Sequence, residues 1–245
     1  MNKHLFSTVL LLAASLQLFA VEEYIIKSKV LGYSLKYWIH VPDDATRSLP
    51  VLYVTDGNGY KRNGLVEVSK TLVKEGKIEP HIIVMVSAVD PNDRSLNRRN
   101  SQFLCNPNYV RFYKEELIPE IENTYKTIAK PEGRGILGLS FGGLNAMYFA
   151  IQANDTFGNI GIQSPAPHPC PSIYDNFQSS PKLPINIFLS TGTVNDKATA
   201  TRKLKGILEQ KGYDFTYLEV AEGHNWRNWG PMLDDVLICF YGNAG

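Results

Sequence analysis

A serine flanked by glycines stands near the middle of the chain. Residues 138–143 read Gly-Leu-Ser-Phe-Gly-Gly, a G-x-S-x-G motif centred on Ser140. In this motif the serine lies at a tight turn between a strand and a helix, where side chains two residues away on either side would collide. The motif predicts that Ser140 is a nucleophile for acyl carbons. The alternative is a glycine-rich turn whose serine only caps the following helix.

A nucleophilic serine needs a base, and in this strand–turn–helix context the acid and then the base follow it along the chain. Of the five histidines, only His224 lies beyond residue 168, and it follows a predicted strand over residues 215–220. Asp196 is the only carboxylate between the preceding predicted strand and helix. We therefore expect His224 to take the proton of Ser140 and Asp196 to orient the imidazole.

Other interpretations of the acid remain open at this point. Asp196 could instead cap a predicted helix that begins at Ala198. Asp175, in a proline-rich loop, and Asp214, at the start of a strand, are the rival acids. Asp214 would lie at the wrong edge of the sheet, because active sites form where parallel strands end.

Backbone amides are expected to complete the site as an oxyanion hole. One donor would be the N–H of Phe141, the residue after the nucleophile. The second would be an N–H of Gly57 or Asn58, in the loop after the predicted strand over residues 51–55. The alternative for that loop is a plain glycine-rich turn.

Two arginines and two tryptophans are candidates for binding substrate. Arg98 or Arg99, in a loop at the same predicted edge, could hold an anionic or polyhydroxylated substrate, or simply form a solvated basic loop. Trp226 and Trp229, beside His224, could offer an aromatic face or only pack against a C-terminal helix.

The elements that must position these residues alternate between strand and helix. Short apolar runs suit strands that are buried on both faces. The alternation predicts an α/β fold with a mostly parallel central sheet, helices on both faces and an antiparallel N-terminal hairpin. The hairpin is predicted over residues 24–28 and 33–41, the strands over 51–55, 81–89, 135–139, 160–163, 185–190 and 215–220, and the helices over 109–125, 144–152 and 198–210.

Length and charge limit the classes of function. The 245 residues suit one domain, expected over residues 21–245. Lys plus Arg number 25 and Asp plus Glu number 24, so nothing in the charge predicts a nucleic-acid partner. The three cysteines, Cys105, Cys170 and Cys239, allow at most one internal disulfide and fit no metal motif.

The first twenty residues predict export. Residues 1–20 have a short basic start and then an uncharged, leucine-rich run, which is typical of a signal peptide. The run is too short for a comfortable membrane span, although a buried N-terminal helix and an uncleaved anchor remain alternatives. We expect a periplasmic or secreted protein with no stable membrane span after cleavage.

Several segments match a known family in order. They are residues 51–57, 116–125, 138–143 and 223–226, the last with Trp229 close behind. With them the chain resembles the esterase family of α/β-hydrolases, which includes enterochelin esterases, feruloyl and acetyl-xylan esterases, S-formylglutathione hydrolase and the mycolyltransferases. The resemblance implies the α/β-hydrolase fold, a Ser–Asp–His carboxylesterase without a cofactor, and a small-molecule or polysaccharide-linked ester as substrate.

One departure concerns the acid. Family members commonly place it directly after a Gly-x-x step, whereas Asp196 lies four residues past Gly192, and some siderophore-hydrolysing members use a Ser–His pair. Three functions are therefore compared: hydrolysis of a carboxylic ester, acyl transfer or peptide hydrolysis by the same residues, and an inactive binding protein. The oligomeric state is not predicted.

Overall fold

The computed structural model describes residues 21–42 and 45–243. The predicted signal peptide, residues 1–20, lies outside the described residues. Within them, no helix combines the length and apolar character needed to cross a membrane.

A single eight-stranded sheet runs through the described part of the chain. The β1–β2 and β2–β4 pairs are antiparallel, and every other pair is parallel. The predicted α/β class, the mostly parallel sheet and the N-terminal hairpin are thereby confirmed. The strands are β1 (Glu22–Lys27), β2 (Ser34–His40), β3 (Val51–Val54), β4 (Ile82–Val86), β5 (Arg134–Leu139), β6 (Asn159–Gln163), β7 (Asn186–Gly192) and β8 (Phe215–Val220), in the spatial order β1-β2-β4-β3-β5-β6-β7-β8.

The central strands are buried along their whole length. All residues of β3, β4, β5 and β6 are buried, which explains why they read as continuous apolar runs rather than as alternating patterns. Helices cover both faces of the sheet, and one hydrophobic cluster lies on each face. The α-helices are α1 (Gly57–Arg62), α2 (Leu65–Lys74), α3 (Arg99–Phe103), α4 (Pro107–Phe112), α5 (Ile118–Thr124), α6 (Phe141–Gln152), α7 (Ile173–Ser179), α8 (Ala198–Gln210), α9 (Trp226–Trp229) and α10 (Leu233–Tyr241), with 3₁₀ turns at Pro131–Gly133 and Gly230–Met232.

The helix predicted over residues 109–125 has an interruption. A π-helical turn, Tyr113–Leu117, joins α4 to α5, and Pro119 is the second residue of α5. Proline has no N–H to donate and its ring crowds the preceding turn, so a wider turn just before it relieves the conflict.

One disulfide ties two loops together at the C-terminal edge of the sheet. Cys105, between α3 and α4, is bonded to Cys170, in the loop after β6, and Cys239 is the free cysteine. In residues 21–42 and 45–243, no group of three or more His, Cys, Asp or Glu side chains is arranged to hold a metal ion.

Candidate active site

The G-x-S-x-G motif forms the sharp turn from β5 into α6. Ser140 has φ 57° and ψ −118°, a strained conformation for a residue with a side chain. A Cβ on Gly138 would lie 2.2 Å from the carbonyl oxygen of Gly142, and a Cβ on Gly142 would lie 2.7 Å from Thr55 Oγ1. Both flanking positions therefore require glycine. The collision at Gly138 is the one across the turn that the spacing predicts, whereas the collision at Gly142 is with Thr55.

Three side chains meet at this turn in a hydrogen-bonded row. Ser140 Oγ lies 2.8 Å from Nε2 of His224, and Nδ1 of the same ring contacts Oδ1 of Asp196. Because Nδ1 faces a carboxylate, it carries the proton, which leaves Nε2 free to accept from the serine hydroxyl. Although Ser140 occupies the N-cap position of α6, its side chain makes no capping hydrogen bond. The hydroxyl is oriented towards His224 instead.

The row passes from solvent into the protein interior. The His224 side chain is 28% exposed, whereas that of Asp196 is fully buried. Burial alone would raise the pKa of Asp196, but hydrogen bonds from His224, Ser164 and the backbone of Gly192 outweigh it and hold the pKa well below its usual range. Asp196 is therefore ionised across the physiological pH range.

The second oxygen of Asp196 explains how a buried carboxylate is accommodated. Oδ2 faces four donors from three segments of the chain, so its lone pairs are fully used. These donors are Gly192 N at 2.5 Å, Ser164 Oγ at 2.6 Å, Asn228 Nδ2 at 2.8 Å and Thr191 Oγ1 at 3.1 Å. The alternative helix-capping role for Asp196 does not match this geometry, because the N-cap of α8 is Lys197, which makes no side-chain capping bond.

Ser164 and Asn228 are site residues that the sequence did not reveal. Ser164 follows β6 with φ 43°, and its hydroxyl accepts from Nε1 of Trp229 at 2.9 Å while donating to Asp196. The Trp229 ring stands edge-on to the His224 ring, with centroids 4.9 Å apart and an interplanar angle of 87°. The described contacts of Trp229 are thus with the hydrogen-bonded row as well as with neighbouring aromatic rings.

The two predicted sources of oxyanion-hole amides are the first residues of two helices. Phe141 begins α6, and Gly57 and Asn58 begin α1. The first N–H groups of a helix have no partner within it and carry partial positive charge, so they are free to donate to an anion. A Cβ on Gly57 would lie 2.4 Å from the carbonyl carbon of Met85, so only glycine allows α1 to begin so close to β4.

Comparison with known proteins bears on the chemistry of this site. The model of the Esterase family matches residues 28–240, which is most of the chain. The chain belongs to the Esterase family. This membership places it among hydrolases that act on carboxylic ester bonds.

Curated relatives of this esterase are identical to it at about one aligned residue in four. The uncharacterized protein YjcH of Bacillus subtilis is 25% identical over 233 residues, which cover 89% of this chain and 95% of that protein. The iron(III) enterobactin esterase of Escherichia coli K12 is 27% identical over 145 residues, which cover 58% of this chain and 35% of that protein. The esterase therefore matches about a third of the length of the E. coli relative.

Solved structures share the fold at lower identity. The enterobactin esterase of Shigella flexneri superposes with a TM-score of 0.82 and 23% identity, covering 90% of this chain and 58% of that one. A ferulic acid esterase superposes with a TM-score of 0.77 and 21% identity, covering 91% of this chain and 98% of that one. These structures support the α/β-hydrolase fold of the esterase.

The two arginines predicted to bind substrate have different partners in the esterase. Arg98 forms an ion pair with Asp90 at 2.8 Å and lies over the Tyr33 ring. Arg99 Nε donates to both carboxylate oxygens of Asp56, at 2.8 and 3.0 Å. Contact between either arginine and substrate stays a prediction.

The contacts of Arg99 link the two halves of the predicted oxyanion hole. Asp56 is the N-cap of α1, so it immediately precedes the Gly57 and Asn58 amides. The same guanidinium donates from Nη2 to the carbonyl oxygen of Leu139 at 3.2 Å and lies over the ring of Phe141. Arg99 thus touches the residues on either side of Ser140 and the residue before Gly57.

Trp226 lies in an aromatic group beside the site. Its ring stands edge-on to Tyr60, with centroids 5.2 Å apart, and edge-on to Trp229, at 5.6 Å. A Cβ on Gly59 would come within 3.0 Å of the Trp226 ring, so the ring covers the first turn of α1. A substrate contact for Trp226 stays a prediction, as it does for the two arginines.

Proposed function

We propose that this esterase hydrolyses a carboxylic ester through an acyl-enzyme on Ser140, with His224 as general base and acid and Asp196 as the group that orients it. The observation that carries the proposal is the 2.8 Å contact between Ser140 Oγ and His224 Nε2, continued through Nδ1 to a buried carboxylate. A serine hydroxyl in such a row can lose its proton as it attacks.

The reaction would proceed in two matched halves. His224 takes the proton of Ser140 while Oγ bonds to the ester carbonyl carbon, and the carbonyl oxygen becomes an oxyanion. The N–H groups of Phe141 and of Gly57 or Asn58 donate to that oxyanion, and one such donor is worth roughly 3–4 kcal/mol. The intermediate collapses, the carbon–oxygen bond to the alcohol breaks, and His224 returns the proton to the leaving alcohol.

Water then repeats the attack on the acyl-enzyme. His224 removes a proton from the water, the acid product leaves, and Ser140 regains its hydrogen. The partial exposure of His224 favours hydrolysis, because water can reach the imidazole that must activate it.

The substrate proposed is a siderophore-type ester or a feruloyl or acetyl ester linked to polysaccharide. The names of the relatives, an enterobactin esterase and a ferulic acid esterase, support the siderophore-type and the feruloyl ester. Export through the signal sequence at residues 1–20 is part of the same proposal. An extracellular or periplasmic esterase would meet such esters outside the cytoplasm.

The nucleophile is tested with Ser140→Ala. We expect this variant to fold, to lose measurable turnover of p-nitrophenyl acetate and to lose labelling by a fluorophosphonate probe. Ser179→Ala, at an exposed position on α7, is the matched control and should keep both. Retained turnover in Ser140→Ala would refute the nucleophile assignment, and a folded wild-type protein that neither turns over nor labels would refute the hydrolase proposal.

A further inference from the structure

A recess of about 450 Å³ lies between the loop after β6 and the start of α8. Its walls are mostly apolar and include Ala166, Pro167, Pro171 and Tyr174. One long charged side chain, that of Lys197, also lines it. None of these residues belongs to the hydrogen-bonded row.

Two contacts and one neighbour in the chain connect the recess to residues of the site. The N–H of Ala166 donates to the carbonyl oxygen of Ser140 at 3.0 Å, and the ring of His168 lies 5.4 Å from that of Phe141. Lys197 directly follows Asp196 in the chain. A substrate whose carbonyl carbon lies at Ser140 could therefore extend one of its two sides into the recess.

The recess is held in shape before any ligand binds. The Cys105–Cys170 disulfide fixes the end of the loop that forms one wall. On the other wall, the Tyr174 hydroxyl donates to the carbonyl oxygen of Ala200 at 2.8 Å, and the Lys203 ammonium lies over the Tyr174 ring. The polar hydroxyl of Tyr174 is thus already engaged.

Within the described residues, the ammonium of Lys197 has no ion-pair partner. Among the ion pairs of the described residues, none includes Lys197, and the carboxylate of the neighbouring Asp196 is buried and turned towards His224. Asp175, next to Tyr174 on α7, is exposed and does not line the recess. An ammonium beside apolar walls attracts an anion more strongly than one in open water, because the local dielectric constant is lower.

We propose that this recess binds a carboxylate carried by the ester substrate, with Lys197 as the residue that selects it. The inference rests on the proposed esterase activity and adds a substrate class to it: an ester with an apolar segment that ends in a carboxylate. Lys197 acts as a specificity determinant and takes no part in bond making or breaking.

The test compares esters in which that carboxylate is either free or masked as its methyl ester. On the acyl side, mono-(p-nitrophenyl) adipate is compared with its neutral methyl ester. On the alcohol side, 4-acetoxybenzoate is compared with methyl 4-acetoxybenzoate. We expect the charged ester to have about fivefold lower KM in one of the two pairs, at pH 8 and low ionic strength, since a partly exposed ion pair is worth roughly 1 kcal/mol. The pair that shows the difference identifies the side of the substrate in the recess.

Substitution then assigns the preference to one residue. Lys197→Met should remove the difference between the charged and neutral esters, and Lys197→Arg should restore most of it. Lys205→Met, on the same helix but paired with Glu209, is the matched control and should keep the preference. Added salt should weaken the preference in the wild type.

The possible failures are distinguishable. If neutral esters are hydrolysed but neither pair shows a charge preference, or if Lys197→Met keeps it, the subsite is refuted while the esterase proposal stands. If no ester of the panel is hydrolysed and the fluorophosphonate does not label Ser140, both proposals are refuted.

Discussion

At the scale of single residues, Asp196 has the most demanding environment in the site. Its two oxygens face His224 on one side and four donors on the other, and its pKa is held well below the usual range. An amide in its place would turn an NH₂ group towards some of those donors and would no longer fix the imidazole tautomer. The geometry therefore favours an essential acid over a Ser–His pair that works alone.

Asp196→Asn is expected to lower kcat by a factor of up to about 10⁴, because the imidazole would no longer be held in the productive tautomer. Steady-state kinetics with p-nitrophenyl acetate measures the loss. Asp175→Asn, at an exposed position on α7, should leave kcat unchanged. A loss below tenfold in Asp196→Asn would mean that Ser140 and His224 suffice.

Arg99 provides the second prediction at this scale. Lysine keeps the charge but cannot bond to both oxygens of Asp56 and to the Leu139 carbonyl at once. If Arg99 positions the oxyanion-hole amides, Arg99→Lys should lower kcat about tenfold or more with little change in KM, since a fully lost donor costs roughly 10²–10³ in kcat. Arg98→Lys, whose arginine pairs with Asp90, should retain kcat.

The opposite kinetic pattern would be equally informative. A rise in KM with unchanged kcat in Arg99→Lys would mean that the guanidinium contacts substrate, as the sequence alone suggested. Added guanidinium ion provides an independent check with Arg99→Ala. It should partly restore kcat in this variant if the substitution removes the cationic contacts and leaves the fold intact.

The residues that the sequence could reveal are those with a motif or a fixed order. Ser140 lies in a motif, and His224 and Asp196 follow from their positions after predicted strands. Ser164 and Asn228 could not be found in this way, because each acts through one hydrogen bond to a carboxylate that lies far away in the chain. Such partners become apparent only when the strand ends are brought together.

At the scale of elements, the turn between β5 and α6 tolerates no added atom. Gly138→Ala would place a Cβ 2.2 Å from a backbone oxygen, which cannot move without distorting the turn. We expect the free energy of unfolding to fall by about 2 kcal/mol or more, together with activity, because overpacking commonly costs 1–3 kcal/mol. Urea or thermal unfolding measures the change.

Gly206, in the middle of α8, provides the matched control. A Cβ there would meet nothing within 4 Å, so Gly206→Ala should stabilise the esterase by about 0.5–1 kcal/mol through the lower entropy of the unfolded chain. If Gly138→Ala were as stable and active as Gly206→Ala, the steric account of the G-x-S-x-G motif would be wrong.

The elements that could be predicted are mostly those long enough to show a period, although the ten-residue helix α2 was missed. The strand Phe215–Val220 and the helix Ala198–Gln210 have the predicted bounds. The helices α3, α7 and α9 have four to seven residues, which is too short for an apolar periodicity to emerge.

At the scale of the whole molecule, the apolar interior also encloses ionisable groups away from the site. His81, which directly precedes β4, is 1% exposed and stacks on Tyr241 with ring centroids 4.3 Å apart. Its Nδ1 lies 3.0 Å from the carbonyl oxygen of Glu79, and its Nε2 lies 3.3 Å from Ser69 Oγ. A neutral ring satisfies both contacts by donating through one nitrogen and accepting through the other.

Burial lowers the pKa of His81 to about 4, below the ordinary value of 6.5. Between these values the unfolded chain binds a proton that the folded protein excludes, so the free energy of unfolding should fall as the pH drops from about 6.5 to about 4. The loss attributable to this residue is up to about 3 kcal/mol, because each pKa unit is worth 1.36 kcal/mol.

The test is His81→Gln, whose amide can donate and accept a hydrogen bond but does not titrate. This variant should flatten the stability–pH curve between about pH 6.5 and 4, even if the variant is less stable than the wild type at pH 7. Urea unfolding at half-unit pH intervals measures the slopes, and an unchanged slope in His81→Gln would assign the acid sensitivity of the fold to other groups.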